Sequence, residues 1–120
     1  MKSNELPEIV AVDFDGTIAK HMYPEIGDPV PGAIEFLKEL QASGVRLILW
    51  TMRSGERLER AVTWCAWHGL TFWGVNVNPE QASWTKSPKA YAHRYIDDAA
   101  AGCPLKQDSG DERPWVDYEA

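Results

Sequence analysis

Residues 8–14, EIVAVDF, run through β-branched and aromatic side chains and stop at an acid and a glycine, Asp15-Gly16. A run this short and this apolar has no polar stripe to offer water, so it reads as a strand buried on both faces. Such a strand needs neighbours in the same sheet, and the chain supplies them. Residues 45–50, VRLILW, form a second apolar run, and TFWGVNV at 71–77 forms a third. A fourth strand is predicted near 93–97, ending at Asp97-Asp98.

Helical patterns separate these runs. Pro31 is predicted to open a first helix, in the turn where its missing N–H is harmless. Ile34, Leu37 and Leu40 line one face of that helix, and Gly44 stops it. Ser54 reads as the N-cap of a second helix, with Leu58, Ala61, Val62 and Cys65 as its buried stripe and Gly69 at its end. Ser87-Pro88 predicts a short helix over 87–92. Thr17 to Pro29 reads as a loop or small hairpin, and Asn78 to Trp84 as a polar, irregular loop.

Strands alternating with helices predict right-handed βαβ units, and hence an α/β single domain with a Rossmann-like parallel sheet flanked by helices. The domain is expected to span 1–120, with its core over about 8–102 and a Pro-, Gly- and charge-rich tail over about 103–120. In that tail Trp115, Val116 and Tyr118 are the candidate anchors.

Charge and composition narrow the function. The net charge of -6 argues against a nucleic-acid partner, which would call for a basic face. A phosphorylated substrate remains compatible, because a bound divalent cation supplies the missing positive charge. The two cysteines, Cys65 and Cys103, show no metal-ligand spacing, and Cys65 falls in an apolar helical stripe. The opening residues MKSNELPEIV lack a signal-peptide core, and no stretch approaches the ~20 apolar residues that cross a bilayer. A cytoplasmic protein without a membrane partner is expected. Of the six tryptophans, Trp50 and Trp73 fit strands, whereas Trp64 and Trp67 stand three apart on the second helix. That spacing suits the core or a subunit contact in a homo-oligomer.

Open parallel sheets collect their ligands at the carboxyl ends of the strands. Here those ends carry Asp13 and Asp15, Thr51, and Asp97 with Asp98. Four carboxylates at one edge repel one another unless a cation or proton lies among them, and oxygen-only ligation suits Mg²⁺. Gly16, followed by Thr17, permits a tight turn whose bared amides would face an anion. Thr51 would hold a phosphate oxygen through its hydroxyl and amide. Lys89 and Lys86, upstream of the fourth strand, are candidates for the cation that offsets phosphate and attacking carboxylate. The flap bearing Lys20, His21, Met22 and Tyr23 is the nearest source of further contacts, and His21 and Arg53 are candidate phosphate ligands.

The segment VDFDGTIA at 12–19 resembles the first motif of the haloacid dehalogenase-like (HAD) superfamily, hydrophobic-x-Asp-x-Asp-Gly-Thr. LILWT at 47–51 resembles its second motif, Lys89 stands where its third-motif lysine would, and YIDD at 95–98 resembles its fourth. The ordered set covers residues 9–98. The resemblance implies a phosphatase in which Asp13 attacks phosphorus and becomes an aspartyl phosphate. Asp15 would protonate the leaving oxygen and then activate water, with Thr51 and Lys89 completing the catalytic set. It implies Mg²⁺ held by Asp13, the Asp15 backbone carbonyl and a fourth-motif acid, Asp98 in preference to Asp97.

Within that superfamily, dehalogenases lack the second aspartate, so Asp15 points to phosphate chemistry. Only about a dozen residues separate Thr17 from Pro31, and as few separate Val77 from Lys89. Neither gap holds a cap domain, so the chain resembles the small cap-less bacterial hydrolases, whose substrate the sequence does not name. Two rivals stand beside the enzyme. A receiver-like phosphoacceptor module would need an aspartate at the end of the third strand, where Val77-Asn78 stands instead. A non-catalytic phosphate-binding protein on the same fold would keep these residues without turnover.

Overall fold

The computed structural model describes residues 7–110 and 112–120. Its centre is strand β1 (Ile9–Val12), all four residues buried. Strand β2 (Arg46–Leu49) lies parallel to one side of it, and β3 (Gly74–Val75) and β4 (Arg94–Ile96) complete a parallel sheet in the order β3-β2-β1-β4. The chain is therefore an α/β protein with a Rossmann-like sheet.

Helices α1 (Ala33–Ala42) and α2 (Gly55–Trp67) cover one face. Because strand side chains alternate, Val10, Val12, Leu47 and Leu49 point to that face, where they meet Leu37 of α1 and Ala61 and Cys65 of α2. Burial pushes the Cys65 thiol up to about 12, which leaves it an inert core residue. Trp64 is half-buried against Phe14, edge to face at 5.5 Å, whereas Trp67 is 86% exposed. None of the helices among the described residues is long and apolar enough to cross a membrane.

Two local expectations are corrected. Pro31 does not open α1: it lies in a turn, and Gly32, in the left-handed region at φ 82°, is the N-cap. No helix forms over 87–92. Its place on the second face of the sheet, over Ile9, Ala11 and Ile48, is taken by irregular chain that buries Ala90 and Ala92. The reason is one buried side chain. The Gln81 amide donates to the Ser87 and Lys89 carbonyls at 3.2 and 2.9 Å and accepts from the Tyr91 N–H at 2.7 Å. These bonds satisfy backbone groups that a helix would otherwise have paired.

The tail folds back onto the domain. Strands β5 (Leu105–Lys106) and β6 (Trp115–Val116) form an antiparallel pair, with Trp115 buried against Val30 and Ala33. The Val116 N–H donates to the Gly16 carbonyl at 2.9 Å, and the Tyr118 hydroxyl donates to the Thr17 carbonyl at 2.6 Å. All three expected anchors thus hold the loop that follows β1.

Candidate functional site

The register pairs Val12 with Leu49 on one side and with Ile96 on the other, so the residues that follow all emerge at one level. The Asp13 N–H donates to the Ile96 carbonyl at 2.9 Å, which locks the end of β1 to the end of β4. Asp13, Asp97 and Asp98 each offer an oxygen, and these oxygens lie within 4.8 Å of one another. Burial first, and then the charge of Asp97, raises the Asp13 carboxyl from 3.8 to about 8, with Asp98 adding to the effect.

Thr17 ties the two strand ends together. Its fully buried hydroxyl donates to Asp13 Oδ2 at 3.2 Å and accepts from the Asp98 N–H at 3.1 Å. His21 is not a free loop histidine, because its Nε2 lies 2.8 Å from Asp98 Oδ2. Asp13 and Asp97 line a cleft of about 330 Å³ together with Trp50, Thr51, Met52 and Asn76. Hard, oxygen-only donors crowded in this way fit a divalent cation, and Asp13, Asp97 and Asp98 are the residues that could hold one.

Gly16 plays a different part from the one expected. Its N–H donates to the Ala19 carbonyl at 2.7 Å, and the Thr17 N–H donates to Phe14 at 3.1 Å, so neither amide is bared to an anion. Glycine is required for two other reasons. The backbone sits at φ 84°, and a Cβ there would collide with His21 Nε2 and Asp98 Oδ2. Its missing side chain is what lets the histidine approach the acid.

Thr51 reaches the cleft, but its amide is already used, donating to Asn76 Oδ1 at 2.8 Å. Its hydroxyl oxygen accepts from the Arg53 N–H at 3.2 Å, which leaves the hydroxyl hydrogen to donate elsewhere. Asn76 holds this corner just beyond β3 at φ 56°, its own N–H donating to the Leu49 carbonyl at 2.7 Å. Sequence reasoning missed Asn76. The only signal was a polar residue interrupting the third apolar run, and asparagine tolerates the left-handed region better than most residues.

Asp15 does not line the cleft around Asp13. Its carboxylate is gripped at both oxygens by Arg53, through Nε and Nη2, each at 2.8 Å. The other Arg53 donors reach the carbonyls of Pro24 at 3.2 Å, Glu25 at 2.7 Å and Arg57 at 3.5 Å. With every guanidinium N–H engaged and the side chain 1% exposed, Arg53 has no donor left for a phosphate. Its pKa is raised, first by the hydrogen bonds to Asp15.

Lys89 stands apart from the cleft. It is exposed, and its ammonium lies over the Tyr95 ring at 5.2 Å from the centroid. Lys86 is likewise exposed. The structure thus brings together Asp13, Thr17, Thr51, Asp97, Asp98 and His21, joins Asp15 to Arg53 beside them, and leaves Lys89 outside.

No protein-family model matches the chain, and no curated protein does. The solved structure of a conserved protein from Bacteroides thetaiotaomicron is similar to it at 46% identity, over 81% of this chain and 80% of that one, with a TM-score of 0.74. With identity and coverage that high on a shared fold, the chain belongs to the same family as that conserved Bacteroides protein.

Proposed function

We propose that the protein is a Mg²⁺-dependent phosphohydrolase of the HAD type, working on a phosphomonoester through an aspartyl-phosphate on Asp13. The observation that carries the reading is the meeting of Asp13, Asp97 and Asp98 at the carboxyl edge of a parallel sheet, their oxygens within 4.8 Å. Carboxylates so close need a cation among them to be ionised together, and an ionised Asp13 is what an attack on phosphorus requires. Bound there, Mg²⁺ would neutralise these acids and the phosphate, with the Asp15 backbone carbonyl as the further ligand that the family resemblance implies.

The chain's own residues would do the rest. The Thr17 hydroxyl holds the Asp13 carboxylate, and the free hydrogen of the Thr51 hydroxyl donates to a phosphoryl oxygen. In the first step an Asp13 oxygen bonds to phosphorus as the ester P–O bond breaks, and the leaving oxygen takes a proton from Asp15. In the second, Asp15 takes a proton from water, whose oxygen attacks phosphorus and releases phosphate from Asp13. A cytoplasmic setting is part of the proposal, in keeping with two unpaired cysteines.

The test is hydrolysis of 4-nitrophenyl phosphate by the purified protein with Mg²⁺, with EDTA, and with Mg²⁺ restored. Activity that disappears with EDTA and returns with Mg²⁺ is the expected result, and full activity in metal-free buffer would overturn the charge balance. The positions of Lys89 and Asp15 favour a second reading, a phosphate-binding protein without turnover. Phosphate binding in the presence of Mg²⁺, with no hydrolysis of any ester, would establish it.

A further inference from the structure

The Asp15–Arg53 pair is an unusual setting for an acid/base group, and the inference drawn from it rests on that role for Asp15. Both carboxylate oxygens accept from one guanidinium at 2.8 Å, so neither is free to pass a proton to an ester oxygen. One of them has to leave the fork and take up a proton from solvent before Asp15 can act as the acid.

Of the two partners, Arg53 is the fixed one. Its donors are all engaged, three of its bonds go to backbone carbonyls, and its guanidinium lies over the rings of Phe14 and Tyr23, 5.0 and 5.1 Å from their centroids. Asp15 has a short side chain that is 17% exposed, and its side-chain hydrogen bonds among the described residues are those of the fork. Arg53 also joins Asp15 to the flap, because two of the carbonyls it holds belong to Pro24 and Glu25, next to the exposed Tyr23. A group bound against the flap therefore acts on the same guanidinium that holds Asp15.

We propose that Arg53 is a positioning residue that stores Asp15 in the resting site and couples its release to the flap, one oxygen leaving the fork when a phosphate ester fills the cleft. Lysine in its place would keep the charge but could not form the fork.

Two measurements test this. In the unaltered full chain, the Arg53 Nε–H and Nη2–H signals, one on each arm of the fork and identified by their loss in Arg53→Lys, are followed by NMR with and without Mg²⁺ and beryllium trifluoride, a phosphoryl mimic. Release predicts that one of the two exchanges with water about tenfold faster, or more, once the mimic is bound. Both signals unchanged in the saturated complex overturns the proposal. In the second, kcat/KM of Arg53→Lys is compared on an alkyl phosphate and on 4-nitrophenyl phosphate, whose leaving group needs no proton. The alkyl ester should lose about tenfold more than the aryl ester. Equal losses on both would show a merely structural arginine and overturn the proposal. Turnover with both Arg53 signals unmoved sinks this inference alone, whereas absence of both turnover and mimic binding sinks the reading of the site along with it.

Discussion

Asp13 and Asp15 are the same residue type two positions apart on one loop, and the fold treats them in opposite ways. Asp13 is turned toward Asp97 and Asp98 and is raised to about 8 by burial and like charge. Asp15 is turned toward a buried guanidinium that takes both of its oxygens. One carboxylate is left wanting a cation, and the other already has one. The role of an acid is set by what the rest of the chain brings to it, and here α2's approach brings Arg53 while β4 brings the acids.

The comparison can be broken most decisively at Asp13. Asp13→Asn should lower phosphate hydrolysis by a factor on the order of 10⁴ and give no covalent phosphate. Asp15→Asn keeps the nucleophile, so with 4-nitrophenyl phosphate it should accumulate one phosphoryl group on Asp13, read by rapid quench and intact mass. Ordinary turnover by Asp13→Asn would end the mechanism.

Stability should reverse the order of the two acids. Asp15→Ala strands a buried guanidinium and should cost about 3–5 kcal/mol in denaturant unfolding. Asp13→Asn, measured without metal near pH 8, should instead stabilise the fold. If the two changes destabilise alike, the contrast between the acids is wrong.

A smaller effect is expected in the pH dependence of the metal-free protein. The folded Asp13 carboxyl titrates near 8, above its ordinary 3.8, so over that interval the folded state holds a proton that the unfolded state has lost. Its contribution is complete below about pH 4 and is lost as pH rises toward 8. Thermal unfolding of Asp13→Asn should show a flatter profile between those limits. The least effect is expected at Lys89, exposed over Tyr95: Lys89→Ala should change kcat/KM by less than about tenfold. A hundredfold loss would mean that Lys89 swings into the cleft during turnover.

Much of the fold was legible in the residues. The apolar run before Asp13, the run ending at Trp50, the strand expected near 93–97 and the glycine stops at 44 and 69 all mark elements that the structure contains. These signals are local, since burial on both faces and a positive φ leave their mark in a few consecutive residues. The 87–92 segment misled because Ser-Pro carries a helix signal that a distant glutamine overrides, and a side chain hydrogen-bonding across 6 to 10 residues leaves no periodic trace. In the site, Asp13, Thr51, Asp97 and Asp98 could be proposed from strand ends alone. The bond from His21 to Asp98 spans 77 positions and that from Arg53 to Asp15 spans 38, and no spacing rule reaches so far.

The sequence by itself determined the four parallel strands and the two long helices, and that acids and a threonine would gather at one edge of a parallel sheet. Those outcomes follow from hydrophobic period and from the geometry of βαβ units, which act over short stretches and repeat from fold to fold. Only the tertiary structure decided which acid meets a cation. It paired Asp15 with Arg53, placed His21 against Asp98 over a glycine too crowded to carry a Cβ, and left Lys89 over Tyr95. Such choices depend on side-chain direction and on desolvation within a few ångströms, and these exist only once distant segments have packed.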